Sequence, residues 1–164
     1  MKKNLYILVV VLLMATNMQA QHEIGVVAGG FNGVTYRYWL SNYFAVQTDL
    51  GVGVFLPNSE GAVYDFTLNP HLVTQVAIGN VTSFYVGGGT NLGIISEIDN
   101  TDPQEIMGKW GLDALIGFEY RLKTMPLVFA LDFRPGYLIA FQSLKDSHYG
   151  LFDWKLAIAV RYCL

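Results

Sequence analysis

The residues with the clearest potential for hydrolytic chemistry lie in the segment KDSHYG, where Asp146, Ser147 and His148 are adjacent. A Ser-His-Asp triad requires the nucleophile and the base to converge in space, and residues that are neighbours in sequence rarely have that geometry. A solvated surface segment is therefore the better interpretation of this cluster. We predict no catalytic residue in the chain.

Two kinds of segment could in principle hold a cofactor or a metal ion. The glycine-rich stretches GVVAGGFNG and VGGGTNLG lack the G-x-G-x-x-G spacing, and no helical pattern follows them to bind a phosphate. The segment DNTDPQE is acidic but lacks the glycine and the ligand spacing of a calcium-binding loop. We therefore predict no cofactor and no metal site.

The first 20 residues have the layout of a secretory signal peptide. Lys2 and Lys3 precede an apolar run over 5–14, and a polar stretch then ends at Ala20. The alternative is an uncleaved membrane anchor, but about ten apolar residues are fewer than the ~20 that a spanning helix needs. Position 21 is glutamine rather than cysteine, which disfavours a lipoprotein. We predict a cleaved signal peptide over 1–20 and one domain over 21–164.

Composition narrows the class of protein. Without Lys2 and Lys3 the chain has 8 basic and 13 acidic residues, so the charge does not favour nucleic-acid binding. The single cysteine, Cys163, excludes an internal disulfide. Charged residues make up 14% of the chain, against about 25% in typical soluble proteins, which indicates that part of the surface does not face water.

Eight segments alternate apolar with small or polar residues, and none has a convincing helical period. In the last segment, WKLAIAVRYCL, the alternation continues to the final residue, with Ile158, Val160, Tyr162 and Leu164 on the apolar face. Such an ending predicts a closing strand that is needed for assembly. The predicted strands are 22–29, 33–41, 43–56, 62–79, 83–97, 108–122, 126–141 and 151–164.

The lengths of the connections also alternate. Short links follow the second, fourth and sixth predicted strands, whereas longer loops are predicted at 57–61, 98–108 and 142–150. Long loops at one end and short turns at the other are typical of an up-and-down membrane barrel. The sequence therefore predicts an all-β fold, an eight-stranded antiparallel up-and-down transmembrane β-barrel.

Three features indicate that the apolar face lies outside. The polar face is rich in glycine and alanine, aromatic residues gather near the strand ends, and charges of both signs share the polar parity. Charges enclosed together can pair, whereas charges facing lipid would be costly. The predicted polar network inside the barrel comprises Glu23, Arg37, Asp49, Asp65, Asp113, Glu119, Arg121, Asp132, Arg134, Lys155 and Arg161. His71 has the same parity and is expected to be a hydrogen-bonded filler.

The chain resembles the small outer-membrane β-barrel proteins of the OmpA/OmpX type, in particular the outer membrane protein beta-barrel domain family. The segments GVTYRYWLSNYFAVQTDLGVGV and LAIAVRYCL carry this resemblance, although the family commonly ends in an aromatic residue and this chain ends in Leu164. The resemblance implies a monomer in the outer membrane of a Gram-negative-type bacterium. It also implies a non-enzymatic structural or surface-recognition role through extracellular loops. The implied partners are outer-membrane lipid and lipopolysaccharide, the β-barrel assembly machinery and an unknown extracellular ligand, with no nucleic acid.

Two other functions are weighed against this one. Lipid A acyltransferases and deacylases also use small barrels, and Pro70 and Pro135 in the predicted strands invite that comparison, but no stretch matches the catalytic His and Ser patterns of those enzymes. Proline lacks the N–H that a closed sheet requires, so we expect a bulge or a local break at each of these positions. A soluble ligand-binding barrel is disfavoured because the polar face is made of small residues.

Overall fold

The computed structural model describes the backbone of residues 22–58, 61–99, 105–143 and 146–164. It describes their side chains except those within 54–63, 97–105 and 140–151. The predicted signal peptide lies outside these ranges. The described residues form eight strands and no helix long and apolar enough to cross a membrane. The strands are β1 (His22–Gly29), β2 (Asn32–Trp39), β3 (Phe44–Asn58), β4 (Gly61–Ala77), β5 (Thr82–Asp99), β6 (Glu105–Arg121), β7 (Leu127–Ser143) and β8 (Asp146–Cys163).

Each strand pairs antiparallel with the next, and β1 pairs with β8, so the sheet closes into a barrel in sequence order. At the seam, Ile24 lies opposite Tyr162 and Gly29 lies opposite Ala157. The amide of Leu164 donates to the carbonyl oxygen of His22 at 2.7 Å, so the last residue still takes part in the closure. The prediction of an eight-stranded antiparallel barrel is confirmed.

The strands extend further at the outer end, where the β7–β8 connection lies, than the sequence predicts. β7 and β8 remain paired up to Ser143 and Asp146, and β5 and β6 up to Glu97 and Glu105. The described parts of the predicted loops at 98–108 and 142–150 are therefore strand, and β3 and β4 continue to Asn58 and Gly61 within the predicted loop at 57–61. The reason is that a ladder pairs backbone groups whatever the side chains are, so strands continue where the apolar alternation fades.

The sequence predicts a bulge or a local break at each strand proline. The structure shows a local break in the sheet at both. Pro70 stays paired with β3 but interrupts the β4–β5 ladder, and Pro135 stays paired with β8 but interrupts the β6–β7 ladder. The register is the same on both sides of each interruption, so neither proline forms a bulge. Among the described residues, a register shift is found in the β3–β4 pair between Phe55 and Asn58.

The barrel has an apolar outer surface. Ile158 is 60% exposed, Trp154 63% and Val26 58%, and many other large apolar side chains point the same way. Among the charged side chains that the structure describes, Lys123 in the β6–β7 turn is the one that is highly exposed. Among the described side chains of the strands, the outer surface thus carries no exposed charge.

Glycines inside the barrel make room for large side chains on the neighbouring strand. A Cβ on Gly117 would collide with the ring of Tyr85, its partner on β5, and a Cβ on Gly89 would meet the ring of His71 on β4. The small inner residues that the sequence shows therefore do not leave the interior empty. They let long side chains from adjacent strands lie flat across the wall.

Candidate functional site: the charged network inside the barrel

Two buried glutamates organise the inner end of the barrel, the end at which the β2–β3 and β6–β7 turns lie. Glu23 on β1 accepts hydrogen bonds from Trp39 Nε1 at 3.0 Å and Arg161 Nε at 3.2 Å. Glu119 on β6 accepts from Arg37 Nη1 at 2.7 Å and Arg161 Nη2 at 3.1 Å. Arg161 therefore joins the first strand to the sixth through the middle of the barrel.

Arg37 links this cluster to the next strands. Its guanidinium donates to Gln47 Oε1 from Nη2 at 2.6 Å and lies 4.5 Å from the ring centroid of Tyr85. Gln47 in turn donates from Nε2 to a carboxylate oxygen of Asp49 at 3.0 Å. Gln75 on β4 donates to the other oxygen of Glu119 at 2.7 Å. Polar contacts thus continue from β2 to β3, β4 and β6.

Arg134 on β7 forms a second cluster, nearer the outer end. It donates from Nη1 to Asp49 at 2.8 Å and from Nη2 to Asp132 at 2.6 Å, and Tyr85 also donates its hydroxyl to Asp132. The guanidinium lies 4.8 Å from the ring centroid of Phe31, which enters the barrel from the β1–β2 turn. Asp49 belongs to both clusters, so they form one network.

This network takes at least one side chain from every strand. Its charged members balance closely in sign, and nearly all of them are fully buried. The members by strand are Glu23 on β1, Arg37 on β2, Gln47 and Asp49 on β3, Gln75 on β4, Tyr85 on β5, Glu119 on β6, Asp132 and Arg134 on β7, and Arg161 on β8.

A separate group of charges lies towards the outer end. Lys109 on β6 forms an ion pair with Asp65 on β4. Lys155 on β8 lies 3.6 Å from the same carboxylate and 3.1 Å from Asp153. Sequence reasoning left Lys109 out of the predicted network, although it lies in the predicted strand 108–122 with the parity of Gly111 and Asp113.

His71 and Asp113 form a buried pair across the glycine-bearing wall of β5. His71 Nε2 lies 3.1 Å from Asp113 Oδ1, and its Nδ1 lies 3.1 Å from the carbonyl oxygen of Asn69. Both ring nitrogens therefore face an oxygen within the wall. The Nδ1 contact is the hydrogen bond expected of a filler, and Nε2 faces a carboxylate.

The structure places all the predicted network residues on the inner face. Arg121 differs from the rest because its side chain is 36% exposed at the inner end, where it contacts Glu23 at 2.8 Å. The predicted assembly residues point outwards, with Tyr162 and Leu164 exposed and Val160 half-buried. The side chains of Asp146, Ser147 and His148 lie outside the described ones.

Several buried aromatic side chains in or against the network were not predicted. Sequence reasoning expected small residues inside, so it did not assign Tyr85, Trp39 or Phe31 to the interior, although all three are buried. The inward parity of Tyr85 and Trp39 was the signal that could have found them. Phe31 carries no such signal because it belongs to a turn.

Chemically, the network pairs its own charges with one another. Each buried carboxylate has at least one cationic or hydrogen-bonding partner, which is the condition under which buried charge is tolerated. Among the residues described, no group of three or more His, Cys, Asp and Glu side chains could hold a metal ion. The network therefore acts as a plug of mutually bound side chains.

Known structures share the shape of this barrel. The N-terminal β-barrel domain of Pseudomonas aeruginosa OprF superposes with a TM-score of 0.63 at 14% identity, over 89% of this chain and 98% of that one. Neisserial surface protein A gives 0.53 at 16% identity, over 87% and 93%.

A major outer membrane protein of Thermus thermophilus gives a TM-score of 0.50 at 13% identity, over 88% of this chain and 98% of that one. No protein-family model matches the sequence, and no curated protein matches it. The closed order of the strands and these superpositions together identify the fold as that of the small eight-stranded outer-membrane β-barrels.

Proposed function

We propose that this chain is an exported, monomeric outer-membrane protein of a Gram-negative-type bacterium, with a non-enzymatic structural or surface-recognition role. The observation that supports it best is a closed barrel whose described outer surface is apolar and whose interior is a paired charge network. In this proposal residues 1–20 are a signal peptide that is removed on export.

The apolar surface has the height that a membrane requires. On β8 the outward residues run from Phe152 to Tyr162, and a tilted membrane strand needs about 9 to 11 residues. Aromatic side chains lie at both ends of this stretch, with Trp154 at the outer end. Such girdles are typical of the two membrane interfaces. The surrounding partners are then outer-membrane lipid and lipopolysaccharide, and insertion requires the β-barrel assembly machinery.

We assign the recognition role to the projecting ends of the strands. β3 to β8 contain 15 to 18 residues, which is more than the membrane needs, so their outer ends extend beyond the apolar stretch. Because β3 and β7 continue to Asn58 and Ser143, and β4 and β8 begin at Gly61 and Asp146, an extracellular ligand would contact the ends of these hairpins.

The second candidate is a lipid A-modifying enzyme, which the ladder breaks at Pro70 and Pro135 favour. Two observations count against it among the described side chains. The two His71 ring nitrogens face the Asn69 carbonyl oxygen and the Asp113 carboxylate, and other buried carboxylates are bound by arginine, lysine or glutamine side chains. Neither His71 nor these acids is placed to act on a substrate.

Cell fractionation and gel mobility test the main proposal. The protein should appear in purified outer membranes, should require detergent for extraction, and should migrate faster on SDS gels before boiling than after. Recovery in the soluble periplasm would refute the membrane location.

Mass spectrometry of lipid A from expressing cells tests the enzyme alternative. We expect no gain or loss of acyl chains relative to cells carrying the empty vector. A mass shift that disappears in Ser147→Ala or His148→Ala would establish the enzyme instead.

A further inference from the structure

The turns at the inner end of the barrel expose large apolar side chains. Tyr43 in the β2–β3 turn and Ile78 in the β4–β5 turn are each 65% exposed, and Met125 in the β6–β7 turn is 56% exposed. Leu40, which directly follows β2, is also exposed. Large apolar side chains that gather at one end of a protein mark a surface that contacts a membrane or another molecule.

These turn residues lie at the edge of the inner ring of aromatic side chains. Phe44, Phe84 and Tyr120 belong to this ring and are exposed near the ends of their strands. Tyr43 directly precedes Phe44, and Ile78 directly follows the end of β4. Aromatic rings of this kind lie at the membrane–water interface, so in the proposed membrane the turn residues lie at the level of the lipid headgroups.

The described side chains that expose charge at this end are both positive. Lys123 in the β6–β7 turn is exposed, and the side chain of Arg121 at the end of β6 is 36% exposed. The acidic side chains that the structure describes at this end, Glu23 and Glu119, are buried. The carboxylate of Leu164 lies next to the start of β1, away from the β6–β7 turn. The exposed charge of that turn therefore favours an anionic partner.

The positive charge is local to the inner end. The chain as a whole has more acidic than basic residues. Glu97, Asp99 and Glu105 are placed by β5 and β6 at the opposite end, and Asp146 begins β8 there. The lysines and arginines that line the interior are buried and do not contribute to the surface of either end. The two ends thus differ in sign, and the cations lie at the end with exposed apolar turns.

The turns pair their own backbone polar groups. In the β2–β3 turn, the amides of Leu40 and Ser41 donate to the carbonyl oxygen of Phe44 at 2.8 and 3.0 Å. In the β6–β7 turn, the amide of Leu122 donates to the carbonyl oxygen of Leu127 at 2.9 Å. Backbone groups that are already paired lose little when water is partly removed, so these turns can enter a headgroup layer at low cost.

We propose that the inner end docks into the periplasmic leaflet of the membrane and binds the headgroups of anionic phospholipids. The two cations contact lipid phosphates, and the apolar turn side chains enter the headgroup layer around them. We call this set the inner-end surface, and its residues are Leu40, Tyr43, Ile78, Arg121, Lys123 and Met125. The inference rests on the membrane location in the proposed function and adds to it a class of lipid and a leaflet.

Continuity with the outer wall favours lipid over a soluble acidic protein as the occupant. Val76 and Ile78 have the same parity, and both are exposed, so the apolar wall of β4 passes into the inner-end surface without a polar boundary. A soluble partner would meet a surface whose rim is already in contact with lipid. Short turns lie on the periplasmic side in barrels of this type, which assigns the leaflet.

Electron paramagnetic resonance of spin-labelled lipids tests the headgroup preference. The detergent-folded protein is reconstituted into phosphatidylcholine vesicles that contain a trace of spin-labelled phosphatidylglycerol or phosphatidylcholine. The motionally restricted fraction measures association, and identical leaflets remove any dependence on orientation. We expect a preference of about threefold for phosphatidylglycerol that disappears in about 1 M salt, because it is electrostatic.

Charge replacements then identify the cations. Lys123→Gln should lower the preference by about half, and adding Arg121→Gln should remove it. Lys123→Arg keeps the charge, and Thr124→Gln changes the same turn without a charge, so both controls should retain the preference of the unmodified protein. Arg121 also binds Glu23. Lys123→Gln alone therefore decides the test if the double variant does not fold.

The depth of the turns gives an independent measurement. A nitroxide at Ile78→Cys, in a Cys163→Ser background, should be less accessible to a water-soluble nickel chelate than a free label and more accessible than one at Ile158→Cys on the wall. Equal association of both lipids, or full aqueous accessibility at Ile78, would overturn the proposal and leave this end to a soluble partner. Cell fractionation measures the membrane location separately, so such a failure does not affect it.

Discussion

Residues inside this barrel contribute unequally to its stability, because a few charged side chains each bind several partners. Arg161 is fully buried and binds both Glu23 and Glu119, which lie on strands from opposite parts of the barrel. Arg121 contacts the same Glu23 but is partly exposed to solvent. The two arginines therefore share a partner and differ in burial.

This difference predicts unequal costs for the same substitution. Arg161→Met should destabilise the folded protein by about 3 to 5 kcal/mol, because it leaves buried carboxylates without a cation. Arg121→Met should cost at most about 1 kcal/mol, since exposed pairs contribute little. Urea unfolding of the detergent-folded proteins, followed by tryptophan fluorescence, measures both. Equal losses for the two variants would contradict a buried, interdependent network.

The inner glycines make a second prediction at this scale. Gly117→Ala should cost about 1 to 3 kcal/mol, because its Cβ would meet the ring of Tyr85, which hydrogen bonds to Asp132 and has little room to move. Gly88→Ala is the matched control, since its Cβ would come no closer than 4.0 Å to the carbonyl oxygen of Asp113, which is ordinary contact. The same unfolding measurement compares them. A Gly117→Ala variant as stable as the control would show that the ring does not depend on the glycine.

At the scale of the strand, adjacent residues of β8 face opposite sides of the barrel wall. Ile158 faces outwards at 60% exposure, whereas Ala157 and Ala159 beside it are buried in the barrel wall. Ile158→Arg should reduce the folded fraction in outer membranes, since arginine facing lipid costs about 2 to 4 kcal/mol near the midplane. Ile158→Leu, as the control, should fold normally. Normal folding of the arginine variant would show that this face does not contact lipid.

The end of β8 makes a separate prediction about closure. Deleting Tyr162–Leu164 removes the partners of Ile24 and Glu23 on β1, together with the hydrogen bond from Leu164 to His22. Assembled protein should therefore fall sharply, as judged by the fraction that is heat-modifiable on SDS gels. Leu164→Phe keeps the strand and should leave assembly unchanged or improved. An undiminished fraction in the deletion would mean that the barrel closes without these residues.

The strands also show what could be predicted from the sequence. A period of two assigns each side chain to one face, so Glu119 and Arg161 could be placed inside without knowing their partners. Parity fails where a residue lies outside a recognised strand, which is why Phe31 was missed. It also does not reveal which acid meets which base, because that depends on the stagger of all eight strands around the barrel. The outer strand ends were missed because their pairing uses the backbone.

For the whole molecule, closure explains how so polar an interior coexists with an apolar exterior. β1 and β8 pair with each other along the seam, so the sheet is closed. The charged network connects opposite walls inside the closed sheet. The exterior needs only to be apolar, whereas the interior needs particular acids opposite particular bases. Backbone pairing and these two surfaces together determine the barrel shape.

The participation of every strand in one network has an evolutionary consequence. Residues on the outer surface can be exchanged for other apolar residues one at a time, because each contacts its surroundings independently. A charged residue inside cannot change alone, since its partners on two or three other strands would be left unmatched. In relatives of this chain, we expect the positions of Glu23, Arg37, Glu119 and Arg161 to change as a group, while the outer face drifts freely. Such drift is consistent with a barrel shape shared at only 13 to 16% identity with the superposed proteins.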